Sequence, residues 1–130
     1  MFILQSEFSF DSAHRLEGHE GNCRKLHGHR WRVIVQVESD RLKTEGSERD
    51  MVLDFSELKK DLRSLEKEFD HKLIEEGEFV NVEDEVVTVP FRPTAERMAQ
   101  YFYHRLKELG YTMTLVTIYE TPNNAITYKE

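Results

Sequence analysis

His27-Gly28-His29-Arg30-Trp31-Arg32-Val33-Ile34-Val35-Gln36-Val37-Glu38 is the stretch from which the rest of the chain can be read. Trp31, Val33, Val35 and Val37 fall on one parity, while Arg30, Arg32, Gln36 and Glu38 fall on the other, which is the period of a half-buried strand. His27 and His29 share the parity of Trp31, so both imidazoles point to the face that carries the packed row. A third histidine, His14, ends an earlier strand-like run, and a paired strand would bring it beside the other two. Three imidazoles with a fourth position open is the pattern of a catalytic zinc rather than a structural one.

Working outward, Phe2 to Ala13 reads as a strand with Phe2, Leu4, Phe8 and Phe10 on one parity. It is expected to pair antiparallel with the strand His29 to Glu38, across a turn-rich stretch from Arg15 to Leu26 that holds Gly18, Gly21 and Asn22. Arg41 to Asp50 is polar and reads as a loop. A helix is expected from about Ser56 to Phe69, with Leu58, Leu62, Leu65 and Phe69 at helical spacing, Asp54 as N-cap and Glu57 three residues on. Gly77 to Val89 is acidic and ambiguous between loop and short hairpin. Pro93-Thr94 opens a second helix whose stripe is Met98, Phe102, Leu106 and Leu109, with Gly110 past its end. Tyr111 to Glu120 and Ala125 to Tyr128 read as two strands joined through Pro122-Asn123-Asn124. The order ββααββ predicts an α+β layer with both helices on one face of an antiparallel sheet, in one domain spanning 1–130.

Composition narrows the function. The chain has 130 residues, 38% hydrophobic and 33% charged, which suits a globular protein with a core of its own. A single cysteine allows no intrachain disulfide and makes a reducing, cytoplasmic location the expectation. Neither a membrane-spanning run nor a secretory signal is expected. A net charge of −7 argues against a nucleic-acid-binding surface. Yet Arg15, Arg24, Lys25, Arg30 and Arg32 cluster around the histidines, against only Glu17 and Glu20. That is either solvated edge charge or a field attracting an anionic substrate.

Cys23 stands four residues before His27. Beside a cation, Arg24 and Lys25, its thiol is a candidate thiolate base, while Cys-x-x-x-His spacing also allows a fourth ligand in a closed, structural Cys-His₃ site. Asp70-His71 falls where the first helix ends and is either a proton-relay pair or a helix-terminal ion pair. Glu120 ends a strand and is either a solvated charge or an acceptor for the paired N–H groups of an amino-pyrimidinone ring.

Cys23-Arg24-Lys25-Leu26-His27-Gly28-His29 resembles the C-x-x-x-H-G-H motif of the 6-pyruvoyl-tetrahydropterin synthase family, in particular its bacterial 6-carboxytetrahydropterin branch. Phe10-Asp11-Ser12-Ala13-His14-Arg15, Leu53-Asp54-Phe55-Ser56-Glu57-Leu58-Lys59, Phe69-Asp70-His71-Lys72-Leu73, Pro93-Thr94-Ala95-Glu96 and Glu120-Thr121 resemble further family segments, in family order. The resemblance implies the tunnelling fold, a four-stranded antiparallel sheet with two helices on one face, assembled into homotrimers or homohexamers with sites between subunits. It implies Zn²⁺ held by His14, His27 and His29, Cys23 as base, Asp70 and His71 contributed from a neighbouring subunit, and Glu120 as the pterin anchor. The implied substrate is 7,8-dihydroneopterin triphosphate and the implied pathway is queuosine and deazapurine biosynthesis. The three-residue interval between cysteine and histidine resembles the carboxytetrahydropterin branch, and the absence of an acid at Arg24, Lys25 and Leu26 departs from the folate-making one.

Overall fold

The computed structural model describes residues 1–22 and 25–130. Two thirteen-residue strands, β1 (Phe2–His14) and β2 (His27–Ser39), pair antiparallel along their whole length, from Phe2 opposite Ser39 to His14 opposite His27. β2 pairs antiparallel with β6 (Met113–Thr121), and β6 pairs antiparallel with β7 (Asn124–Tyr128). These four strands are the antiparallel sheet expected from the sequence.

The sheet does not stop there. β3 (Lys72–Glu76) runs parallel to β1, β5 (Val86–Val89) parallel to β3, and β4 (Asn81–Val82) antiparallel to β5. The observed sheet is therefore seven-stranded and mixed, in the order β4-β5-β3-β1-β2-β6-β7, and the four-stranded antiparallel expectation is corrected. The cause is topological. Helix α1 (Phe55–Phe69) begins beside Leu4 and ends beside Phe10 and Asp11, so it runs in the direction of β1, and the chain continues in that direction as β3. The acidic 77–89 stretch folds as the outer hairpin, with Asn81 opposite Thr88 and Val82 opposite Val87.

Both helices cover one face. Phe8 and Phe10 of β1, Trp31, Val33, Val35 and Val37 of β2, and Val116 and Ile118 of β6 form one core with Leu58, Leu62, Leu65 and Phe69 of α1. Met98, Ala99, Phe102 and Leu106 of α2 (Ala95–Glu108) join the same cluster. Aromatic rings set the geometry: Phe10 stacks on Trp31 at 5.9 Å, and Phe102 meets Phe8, Phe10 and Phe69 edge-on at 5.3–6.0 Å. Substituting Phe10, 1% exposed, by alanine should cost about 3–5 kcal/mol by urea unfolding, because it leaves a void among four rings.

Helix ends match their chemistry with two differences. Asp54 caps α1 by accepting from the Ser56 N–H at 2.9 Å, and Thr94 caps α2 by accepting from the Arg97 N–H at 3.1 Å. The backbone N–H of Asp54 donates to Glu48 at 2.8 Å, so Glu48 fills the reciprocal role expected of Glu57. Leu109, expected on the buried stripe, is the C-cap of α2 and is exposed; Gly110 follows with φ of 103°.

The opposite face of the β1–β2 pair is polar. Arg30 bonds Asp11 at 3.1 Å, Arg32 bonds Glu7 at 2.7 Å, and Gln36 bonds Gln5 at 2.9 Å, each across the two strands.

Candidate metal centre

The core face of the sheet continues past the helices into the histidines. Along β1 the buried row runs Phe8, Phe10, Ser12, His14; along β2 it runs back from Val33 through Trp31 to His29 and His27. The register places His14 directly opposite His27 and His29 one pleat away, opposite Ser12. The three rings meet edge-on, with centroids 4.5–5.1 Å apart. Trp31 floors the cluster, 4.9 Å from His14 and 5.7 Å from His29. The strand period that builds the core therefore also sets these side chains on one side.

β6 supplies the fourth member. Its pairing with β7 slips between Tyr119 and Thr121, and Glu120 is the extra residue of that bulge. Its Oε1 lies 3.2 Å from His14 Nε2 and 3.4 Å from His29 Nε2. One potential ligand atom from each of His14, His27, His29 and Glu120 falls within 4.8 Å of all the others.

Backbone carbonyls set the ring tautomers. His14 Nδ1 lies 2.8 Å from the Pro93 carbonyl, and His27 Nδ1 lies 2.6 Å from the Lys25 carbonyl. A carbonyl only accepts, so each Nδ1 carries the proton and each Nε2 is left with a free lone pair. Nε2 of His14 and of His29 are buried and without a hydrogen-bond partner. Buried nitrogens are rarely left so unless another partner is intended. Burial holds the pKa of His29 below the ordinary histidine value, which favours the neutral, ligating form at neutral pH. Imidazoles with free Nε2 atoms and a carboxylate form a donor set suited to a divalent cation such as zinc.

Asp70 and His71 form a separate cluster with Asp11 rather than joining these four residues. His71 has φ of 60°, and its N–H donates to the Asp11 carbonyl at 2.7 Å, while the Asp11 N–H donates to Asp70 Oδ1 at 2.9 Å. His71 Nδ1 lies 3.0 Å from Asp70 Oδ2, and the Ser12 hydroxyl donates to the Phe69 carbonyl. Burial works against the charge of Asp70, but the Asp11 N–H and His71 outweigh it and its pKa is lowered. Asp70 therefore stabilises the fold fully above about pH 4, and that contribution is lost as pH falls through its depressed native value. Asp70→Asn keeps an acceptor for the Asp11 N–H and removes the charge. Its stability deficit, measured by urea unfolding from pH 2 to 7, should be present at neutral pH and shrink in acid.

Two clefts flank the centre. One, of about 430 Å³, is lined by His29, Arg32, Tyr119, Glu120, Thr121 and Pro122 among others. A second, of about 540 Å³, runs between Gly28, His29 and Arg30 on one side and His71, Lys72 and Leu73 on the other. Cys23 lies outside the described residues. Of the basic cluster, Arg15, Arg30 and Arg32 are paired with Glu17, Asp11 and Glu7. The Pro93 and Lys25 carbonyls and the backbone of Asp11 are the functional groups that the sequence did not reveal, since main-chain atoms leave no residue-type signal.

Fold and site together define a class: α+β proteins with a candidate histidine-rich metal centre at the end of a shared sheet face. The chain matches the family described as 6-pyruvoyl tetrahydropterin synthase over residues 3–130. It is 42% identical to a Synechocystis protein named 6-carboxy-5,6,7,8-tetrahydropterin synthase, over 98% of this chain and 93% of that one. It is 35% identical to a Haemophilus influenzae protein of the same name, over the full length of both. Among solved structures, an uncharacterized protein of Wolinella succinogenes superposes with a TM-score of 0.81 at 25% identity, covering 99% and 98% of the two chains. Caenorhabditis elegans 6-pyruvoyl tetrahydropterin synthase superposes with a TM-score of 0.72 at 28% identity, covering 99% and 95%. The chain belongs to the 6-pyruvoyl tetrahydropterin synthase family and is an enzyme of that family. No helix among the described residues is long and apolar enough to cross a membrane.

Proposed function

We propose that this single-domain chain converts 7,8-dihydroneopterin triphosphate to 6-carboxy-5,6,7,8-tetrahydropterin, releasing acetaldehyde and triphosphate with uptake of water, in queuosine and 7-deazapurine biosynthesis in the cytoplasm. The observation that carries the reading is the convergence of His14, His27 and His29 beside Glu120, next to a cleft that His29 and Glu120 also line. The branch is supported by the curated relatives and by the three-residue interval between Cys23 and His27.

His14, His27 and His29 would hold Zn²⁺, which as a Lewis acid on the side-chain hydroxyls lowers the pKa of the neighbouring C–H. The Cys23 thiolate removes that proton. Glu120 accepts the paired N–H donors of the pterin's guanidine-like edge and orients the ring along the cleft. Asp70 fixes the His71 imidazole through Nδ1, leaving Nε2 to move protons on the other side of the substrate, with the pair supplied by a neighbouring subunit of a homotrimer or homohexamer.

Incubating zinc-loaded protein with 7,8-dihydroneopterin triphosphate and analysing products by mass spectrometry tests this. 6-Carboxytetrahydropterin with acetaldehyde is the expected outcome. The second reading, favoured by the likeness to the Caenorhabditis elegans enzyme, is a 6-pyruvoyl product, which the same assay separates by mass. Unchanged substrate with folded, metal-loaded protein would overturn both and favour a structural Cys-His₃ zinc protein.

A further inference from the structure

We propose that Ser12 is a positioning residue for His71: its buried hydroxyl anchors the end of α1 and, with the Asp11 backbone, mounts the Asp70-His71 turn on β1. The inference rests on the proton-relay reading of His71 above and goes beyond it, because it names what sets that ring in place.

Ser12 is the odd member of its row. It stands between Phe10 and His14 on the core face of β1 and is 5% exposed. A hydroxyl withdrawn from water destabilises the fold unless it is hydrogen-bonded. Its donor goes to the carbonyl of Phe69, the last residue of α1. The last four carbonyls of a helix have no partner within it, so the bond meets a need on both sides. The Ser12 carbonyl accepts from the Trp31 indole N–H at 3.3 Å, so the same residue also touches the floor of the histidine cluster.

The turn that leaves Phe69 is strained and is held from β1. His71 has φ of 60°, a left-handed conformation uncommon for any residue but glycine. Such a residue persists where its surroundings over-determine it. Here the His71 N–H donates to the Asp11 carbonyl at 2.7 Å, the Asp11 N–H donates to Asp70 Oδ1 at 2.9 Å, and Lys72 pairs with Ser12 as the first residue of β3. The Ser12 hydroxyl adds a side-chain bond to this set. The His71 side chain is 78% exposed, so packing does not fix the imidazole. Its place is set by the backbone turn and by Asp70 Oδ2, 3.0 Å from Nδ1. An exposed ring on a strained, well-anchored mount is a group held ready for a partner. Alanine at position 12 would suit the apolar row, but it would release the turn.

Parent, Ser12→Ala, His71→Ala and the double variant, all full-length, zinc-loaded and checked by circular dichroism, are compared in two ways. Amide exchange of the segment 69–72 is followed by mass spectrometry, and kcat and KM are measured with 7,8-dihydroneopterin triphosphate. Ser12→Ala should speed exchange of that segment about five- to tenfold, the equivalent of one hydrogen bond. It should lower kcat by about the same factor and leave KM within about twofold of the parent. In the His71→Ala background it should lower kcat no further, because the group it positions is gone. Exchange unchanged by Ser12→Ala, or an equal loss of kcat with and without His71, would overturn the inference and leave His71 its role. Full turnover in His71→Ala would overturn the proton-relay reading and the inference together.

Discussion

Replacing His14 by alanine is expected to abolish metal binding and turnover together. The imidazole is fully buried against Trp31, its Nδ1 is held by the Pro93 carbonyl, and its Nε2 faces His29 and Glu120. Loss of an outer-shell partner costs 10–100-fold in metal affinity, and loss of a ligand should exceed that. The change also strands the Pro93 carbonyl, at a stability cost of about 1–3 kcal/mol. The two effects separate by thermal unfolding with and without Zn²⁺. At a thousandfold excess over Kd, the parent gains about 4 kcal/mol from the ion. The variant should start less stable and gain nothing. A variant that keeps its stabilisation by Zn²⁺ would remove His14 from the ligand set. His71→Ala, in the separate Asp11–Asp70 cluster, should retain the parent's full response.

Why the histidines were legible and their companions less so follows from how each is specified. His27 and His29 share a parity with Trp31, and the β1–β2 register extends to His14 opposite His27, so a period of two along two neighbouring strands predicts the cluster. Glu120 was visible only as a carboxylate at a strand end. It shares the parity of Ile118, but its place among the imidazoles depends on the β2–β6 register, which has no residue-type signature in Tyr119-Glu120-Thr121. β3 was missed for a related reason, whereas β4 and β5 are the short hairpin that Gly77 to Val89 left open. In Lys72–Glu76 only Ile74 is buried, too short a pattern to distinguish a strand, and its parallel pairing with β1 follows from the direction in which α1 delivers the chain. Asp70 and His71 were legible as residues. Their tie to β1 through the Asp11 backbone was not.

The placement of the candidate centre also explains how a small domain can hold its side chains rigidly. His14, His29 and Glu120 extend rows whose other members, Phe10, Trp31 and Ile118, are locked under α1 and α2. The polar rows alternating with them, Asp11 with Arg30 and Glu7 with Arg32, keep the register by pairing across the same two strands. A one-residue slip would turn every one of these side chains to the opposite face, so core packing and site geometry are one constraint.

Replacing Cys23 by alanine should lower turnover by about 10²–10⁴-fold, the usual contribution of a positioned acid or base, while leaving the metal in place. The expectation rests on the motif, in which Cys23 precedes His27 by four residues and is followed by Arg24 and Lys25. Metal content decides between base and ligand. If the three histidines hold the ion without sulfur, Cys23→Ala should bind Zn²⁺ as tightly as the parent. Metal lost with Cys23 would describe a Cys-His₃ site in which the thiolate is bound and shielded from alkylation. Metal content of the variant and alkylation of the parent thus decide whether the thiolate is free to take the proton.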